Sequence, residues 1–134
     1  MTIEQLTVFV ENKQGRLSKI TNLLAAEKID LRALSIADTQ EFGILRLIVN
    51  DAARALEVLR ENGMLVQITE VLCVKLPDRP GALSEVLEAL DGEGINVEYL
   101  YAFLSQATPD AAYVVLRVAD NAAAAAALKK AKLA

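Results

Sequence analysis

The sequence repeats itself. Comparing Val8–Leu34 with Val74–Leu100 at a constant offset of 66 positions gives eight identities in 27 residues without a gap. Gly15 aligns with Gly81, Leu17 with Leu83, Ser18 with Ser84, Leu24 with Leu90, Ile29 with Ile95 and Leu34 with Leu100. Ile20/Val86, Asp30/Asn96 and Leu31/Val97 are conservative pairs. A fixed period means that one supersecondary unit is built twice. The offset grows to 69 by Asp51 and Asp120, because the loop Gln106-Ala107-Thr108-Pro109-Asp110 is longer than its counterpart.

Each copy carries the same succession of patterns. Residues 6–10 are β-branched and aromatic and predict a strand. Asn12-Lys13-Gln14-Gly15 breaks it as a turn. Leu17, Ile20 and Leu24 then recur at helical spacing, and the helix ends near Lys28. A strand-like stretch follows over Asp30–Ala37, a turn at Thr39-Gln40-Glu41, and a hydrophobic strand over Phe42–Val49. Asp51 is suited to cap the next helix and Gly63 to end it, with Ala55, Leu56 and Leu59 as the buried stripe. Met64–Leu76 is one long β-favouring run. The order β-α-β-β-α-β is that of a split βαβ sandwich. In the second copy Tyr113–Val118 is the matching strand and Asn121–Lys132 the matching helix. The last helix is rich in Ala, which favours helix but buries little area. The division expected is 1–69 and 70–134, an α+β chain of two ferredoxin-like units. The second copy reaches Ala134 without its closing strand. Either that unit lacks the strand, or another chain or another part of this one covers the edge beside Val71–Leu76.

Composition narrows the function. The 134 residues carry a net charge of −4 and no basic block, whereas a nucleic-acid binder concentrates positive charge. Apolar runs reach six or seven residues, far short of a membrane span of roughly 20. A single Cys73 and an N-terminus without signal character predict a cytoplasmic protein. Cys73 is expected in the core. Without His there is no His-based triad or metal ligand, and no Gly-rich phosphate loop is present. No cofactor is expected. Glu27, Glu57, Glu61, Glu85 and Glu88 read as solvated helix faces.

Asn12-Lys13-Gln14-Gly15-Arg16-Leu17 and Asp78-Arg79-Pro80-Gly81-Ala82-Leu83 resemble the turn that opens ACT domains. Gly94-Ile95-Asn96-Val97 resembles the start of that family's second strand, and Lys28-Ile29-Asp30-Leu31 is its counterpart. The stretch Ala33–Thr39 followed by Phe42–Arg46 is similar to stand-alone tandem ACT proteins of bacteria. The resemblance implies two units side by side in one eight-stranded antiparallel sheet with helices on one face. It implies an effector, usually an amino acid, at the seam, between the glycine loop of one unit and the second strand of the other. The residues so implicated are Asn12, Gln14, Gly15, Arg16, Leu17, Asp30 and Leu31, with Asp78, Arg79, Gly81, Ala82, Leu83, Asn96 and Val97.

Physical chemistry supports such a site. A helix start offers unsatisfied N–H groups and the positive end of its dipole to a carboxylate. Asp78 carries a charge to offer an ammonium group, whereas Asn12 has only hydrogen bonds, so two unequal sites are expected. The plainer readings stand beside it. The glycines serve as turn residues, Asn12 and Asp78 as local hydrogen bonders, and Asp30 and Asn96 as solvated strand ends. Tyr99, Tyr101 and Phe103 share one strand face, opposite small counterparts Ala33, Ser35 and Ala37, and pack a core or line a pocket or subunit contact. The expected activity is binding of an amino acid or related metabolite by a homodimer, as a free sensor or as a subunit docking on an amino-acid biosynthetic enzyme, for example one like acetohydroxyacid synthase. A small carboxylate enzyme is the remaining alternative.

Overall fold

Alternating Leu6, Val8 and Val10 turn one face of the first strand inward, each at most 6% exposed. The computed structural model describes residues 1–38, 41–104 and 108–134. The expected turn residues Thr39 and Gln40, and Gln106 and Ala107 of the longer loop, lie outside the described residues. The elements run β1 (Thr2–Glu11), α1 (Arg16–Ala26), β2 (Leu31–Asp38), β3 (Phe42–Val49), α2 (Ala52–Glu61), β4 (Leu65–Pro77), α3 (Ala82–Gly92), β5 (Val97–Leu104), β6 (Ala111–Val118) and α4 (Asn121–Lys130). None of these helices is long and apolar enough to cross a membrane.

The chain divides into two compact units, Glu4–Glu70, and Met1–Ile3 with Val71–Ala134. In the first, the strand order is β2-β3-β1 and then the opening half of β4. In the second it is β5-β6 and then the closing half of β4. This is the α+β, ferredoxin-like arrangement expected. Six strands suffice, rather than eight, because β1 and β4 each contribute to both units. Beside Val71–Leu76 stands another part of the same chain: Met1–Ile3 group with the second unit, and the Cys73 N–H donates to the Met1 carbonyl at 2.7 Å. That pairing draws β1 back to Thr2, well before the β-favouring run at 6–10.

The two units match residue for residue. Leu6, Val8, Val10, Ile20, Leu24, Leu45, Leu47, Ala55 and Leu59 form the first core. Leu72, Val74, Leu76, Val86, Leu90, Val114, Leu116, Ala124 and Leu128 occupy the same positions in the second. The register agrees as well, Glu11 opposite Phe42 and Pro77 opposite Ala111. Both second strands carry a register shift at the same place, between Leu31 and Ala33 and between Val97 and Tyr99. Asp51 accepts the Arg54 N–H and Asp120 the Ala123 N–H, each at the start of a second helix. The glutamates ending α1 and α3 are each held at 2.8 Å, Glu27 by Arg54 and Glu93 by Lys130. These contacts raise the pKa of both cations, chiefly through the hydrogen bond.

Leu17 and Cys73 depart from the sequence reading. Leu17 is 44% exposed instead of joining Ile20 and Leu24, whereas its counterpart Leu83 packs against the second core. Cys73 is only partly buried. It alternates with Leu72 and Val74 and so faces away from their core, although burial still raises its thiol pKa. Tyr99, Tyr101 and Phe103 are partly exposed, and Phe103 stacks on Tyr113 with ring centroids 5.3 Å apart.

The repeat also exposes local strain. Gly94 (φ 70°) is matched by Lys28 (φ 57°), and Gly63 (φ 78°) by Lys132 (φ 61°). A side chain in the left-handed region costs about 1 kcal/mol. Gly63→Ala is therefore expected to destabilise by about 1 kcal/mol, while Lys28→Gly and Lys132→Gly are neutral or stabilise by about 0.5 kcal/mol after the entropy of the unfolded chain is counted. Urea midpoints at unchanged m-value test this. Lysine-to-glycine losses as large as the Gly63→Ala loss would contradict it.

Candidate functional site

Each first helix begins at a glycine with φ near +90°, Gly15 at 86° and Gly81 at 89°. That torsion reverses the chain within a few residues of the strand end and is costly for any residue with a Cβ. A Cβ at either position would meet nothing within 4 Å, so the demand for glycine is torsional and the space beside it is open. A bulky probe such as Gly81→Val therefore strains the backbone before it fills a site.

The loops are the same structure twice. Asn12 N–H donates to Glu41 O (3.0 Å) and Asp78 N–H to Asp110 O (3.0 Å). Lys13 N–H donates to Glu11 O and Arg79 N–H to Pro77 O. Arg16 and Ala82 donate to the Lys13 and Arg79 carbonyls, both at 3.3 Å, and Lys19 and Glu85 to the two glycine carbonyls. Neither helix start has a side-chain cap, which leaves its first turn with donors for a ligand.

Their electrostatics differ. Around Gly15, Lys13 contacts Glu11 at 3.0 Å and Arg16 approaches it at 3.8 Å. The hydrogen bond and charge of Lys13, then the charge of Arg16, hold the Glu11 carboxyl below its usual pKa. The first turn of α1 has no acidic residue. Around Gly81, Glu85 stands in the first turn and takes Arg79 through both oxygens, at 2.9 and 3.0 Å. Cations thus add to the positive potential at the helix start in the first copy, and Glu85 offsets it in the second.

The strand-start residues lie elsewhere within each unit. Glu11 pairs with Phe42 at one end of β3, while Leu31 pairs with Val49 at the other. The eleven residues of α1, about 16 Å long, separate Gly15 from Asp30. Asn12, Gln14, Gly15, Arg16 and Leu17 are grouped, and so are Asp30 and Leu31, but one unit does not bring the two groups together. The same holds for Asp78, Arg79, Gly81, Ala82 and Leu83 against Asn96 and Val97.

At the strand start the copies diverge. The Asn50 side-chain oxygen accepts the Asp30 N–H at 2.9 Å, and the Asn50 N–H donates to Asp30 O at 3.2 Å. The position matching Asn50 is Ala119, which has no such side chain. An open cleft of about 470 Å³ lies there, lined by Gly94, Ile95, Asn96, Glu98, Ala119 and Asp120. Arg32 contacts Asp30 at 3.2 Å.

A second cleft, of about 230 Å³, joins Arg16 to residues that motif reading passed over, among them Phe9, Lys19, Phe42, Met64 and Leu65. Comparing the copies would have flagged them, since Lys75, Glu85 and Ala111 replace Phe9, Lys19 and Phe42. Among the described residues no three His, Cys, Asp or Glu side chains are grouped to hold a metal ion.

A family model described as an ACT domain pair matches residues 1–133. Protein BT0572 from Bacteroides thetaiotaomicron is similar in structure, with a TM-score of 0.92 and 42% identity over 99% of this chain and 90% of that one. The regulatory subunit of aspartate kinase from Thermus thermophilus, in its ligand-free form, aligns with a TM-score of 0.69 and 17% identity over 98% and 97% of the two chains. That from Thermus flavus gives 0.67 and 17% over 98% and 95%. At 17% identity the likeness is one of fold. No curated protein matches the chain.

The Asn50 contact has a measurable counterpart. Asn50→Ala, which copies Ala119, is expected to cost about 1 kcal/mol, the usual net worth of a hydrogen bond. Chemical denaturation of the variant checks it, and an unchanged midpoint would show that the contact contributes nothing.

Proposed function

The chain belongs to the ACT domain pair family, and on that premise we propose that it binds an amino acid or closely related metabolite and catalyses no reaction. The observation that carries this reading is the double glycine loop, hydrogen bond for hydrogen bond the same, ending both times in a helix start without a side-chain cap. Backbone N–H groups and a helix dipole suit a carboxylate. Asn12, Gln14, Gly15, Arg16 and Leu17 would serve one loop, and Asp78, Arg79, Gly81, Ala82 and Leu83 the other. Asp30, Leu31, Asn96 and Val97 would complete the pockets. Because loop and strand start stand at opposite ends of a unit, a pocket using both is not closed within one unit.

Self-association supports that need. Strand β2 is the edge of its unit and exposes Leu34 (59%) and Ile36 (45%). An apolar edge of that kind is a template for a second copy. The species proposed is a homodimer in the cytoplasm. Its mass in solution at micromolar concentration should be twice 14.5 kDa, and Leu34→Lys with Ile36→Lys should halve it. A monomeric parent protein would remove the dimer from this reading.

A second reading is favoured by the span of the match. In Thermus thermophilus a chain aligned over 97% of its length is the regulatory subunit of an enzyme. A chain of this fold and size can therefore regulate from outside the catalytic chain. Docking on an amino-acid biosynthetic enzyme, for example one like acetohydroxyacid synthase, is the corresponding proposal here.

Melting curves with each of the twenty amino acids test the first reading. A ligand at one hundred times its Kd stabilises by about 2.7 kcal/mol and raises Tm visibly. The same Tm with all twenty would overturn amino-acid binding. Affinity capture from cell extract with and without the effector tests the second reading, and recovery of no enzyme in either case would overturn it.

A further inference from the structure

The face of the second unit that points away from its core gathers rings. Tyr113 alternates with Val114 of the core and so faces outward. Tyr99, Tyr101 and Phe103 pair with Arg117, Val115 and Tyr113 and share that face. Four of the chain's six aromatic residues thus stand on one side of two strands. The duplication shows that the fold does not require them, because Ala33, Ser35, Ala37 and Ile44 hold the matching positions in the first unit.

At the end of this face lies an open cleft of about 490 Å³, within the roughly 300–1,000 Å³ of small-molecule sites. Lys75, Pro77, Thr108, Pro109, Asp110 and Ala111 line it. Tyr113 stands at its border: it pairs with Lys75 across the sheet, and its hydroxyl is 3.1 Å from that of Thr108. Phe103 stacks on the Tyr113 ring with 15° between the planes, so the wall beside the cleft is already flat. Lys75 is exposed and enters no ion pair among the described residues. Ala111 is small where the first unit has Phe42, and Lys75 is a cation where it has Phe9. We propose that this cleft is a binding site, confined to the second unit, for a flat aromatic monocarboxylate. Lys75 takes the carboxylate. The ring lies against Tyr113, Pro77 and Pro109. Asp110 sits on the rim, and its carbonyl accepts the Asp78 N–H at 3.0 Å. These two acids face a single cation and disfavour a dianion such as a phosphate monoester. No ammonium group is required, which separates this ligand from the amino acid proposed above. The site uses neither glycine and no helix start, so it does not depend on that reading.

The test is fluorescence titration of the full chain with 2-naphthoate, whose ring can be excited apart from tyrosine in a chain without Trp. Cyclohexanecarboxylate, with the same charge and no flat ring, is the control competitor and should displace it poorly. Lys75→Gln, and Tyr113→Ile, which imports Ile44 of the first unit, should each raise the Kd of 2-naphthoate at least fivefold. Lys75 is on the surface, so its variant should keep the parent melting curve, and it decides the matter if Tyr113→Ile does not fold. No signal with 2-naphthoate, an unchanged Kd in Lys75→Gln, or equal displacement by cyclohexanecarboxylate would overturn the proposal. So would displacement of 2-naphthoate by an amino acid that raises Tm, since the two would then share one pocket. Binding of 2-naphthoate that obeys both substitutions, in a chain whose Tm responds to no amino acid, would support the cleft while removing the amino-acid reading.

Discussion

The left-handed turn at Gly15, and its copy at Gly81, sets where everything else in each unit goes. With φ near +90° the backbone doubles back as soon as the strand ends. Ile20 and Leu24, or Val86 and Leu90, then land on the inward face of the strand just finished. The same reversal leaves the first turn of the helix without a side-chain cap. One torsion thus directs the apolar stripe inward and its unsatisfied donors outward. Packing and recognition share a cause, which is why the loop hydrogen bonds recur so closely while the side chains around them differ.

Those side chains are where the copies part. Cations raise the positive potential at the start of α1, whereas Glu85 offsets it at the start of α3. Asn50 fills with its amide a notch that Ala119 leaves open. The cores, by contrast, agree position by position. Duplication fixed the backbone, and the polar surface then diverged on it, so the two halves offer different chemistry from one architecture.

The fold was largely legible. Fixed offset, alternation and helical spacing gave the element order, and Asp51 and Gly63 acted as cap and stop. Local patterns failed where non-local pairing decides. Thr2–Gln5 has no strong strand preference, yet it extends β1, because the chain's first residues pair beside Cys73. Leu17 has helical spacing to Ile20 yet stays exposed, while Leu83 at the matching position packs inward. For the candidate site, the motifs marked residues that share one loop in each unit. They gave no view of the distance from Gly15 to Asp30, because spacing along a chain carries no information about which ends of a sheet meet. Nor did they reveal the cleft beside Arg16, whose members come from five separate elements and turns and share no motif.

The bond from the Cys73 N–H to the Met1 carbonyl has an implication for assembly order. Residues Glu4–Glu70 are contiguous and close among themselves as soon as they leave the ribosome. The other unit joins Met1–Ile3 to Val71–Ala134, so its first contact already closes a loop from Met1 to Cys73. Closing so long a loop costs entropy that only non-local contacts return. The unit that includes Met1–Ile3 therefore carries a loop-closure cost that the contiguous Glu4–Glu70 unit does not.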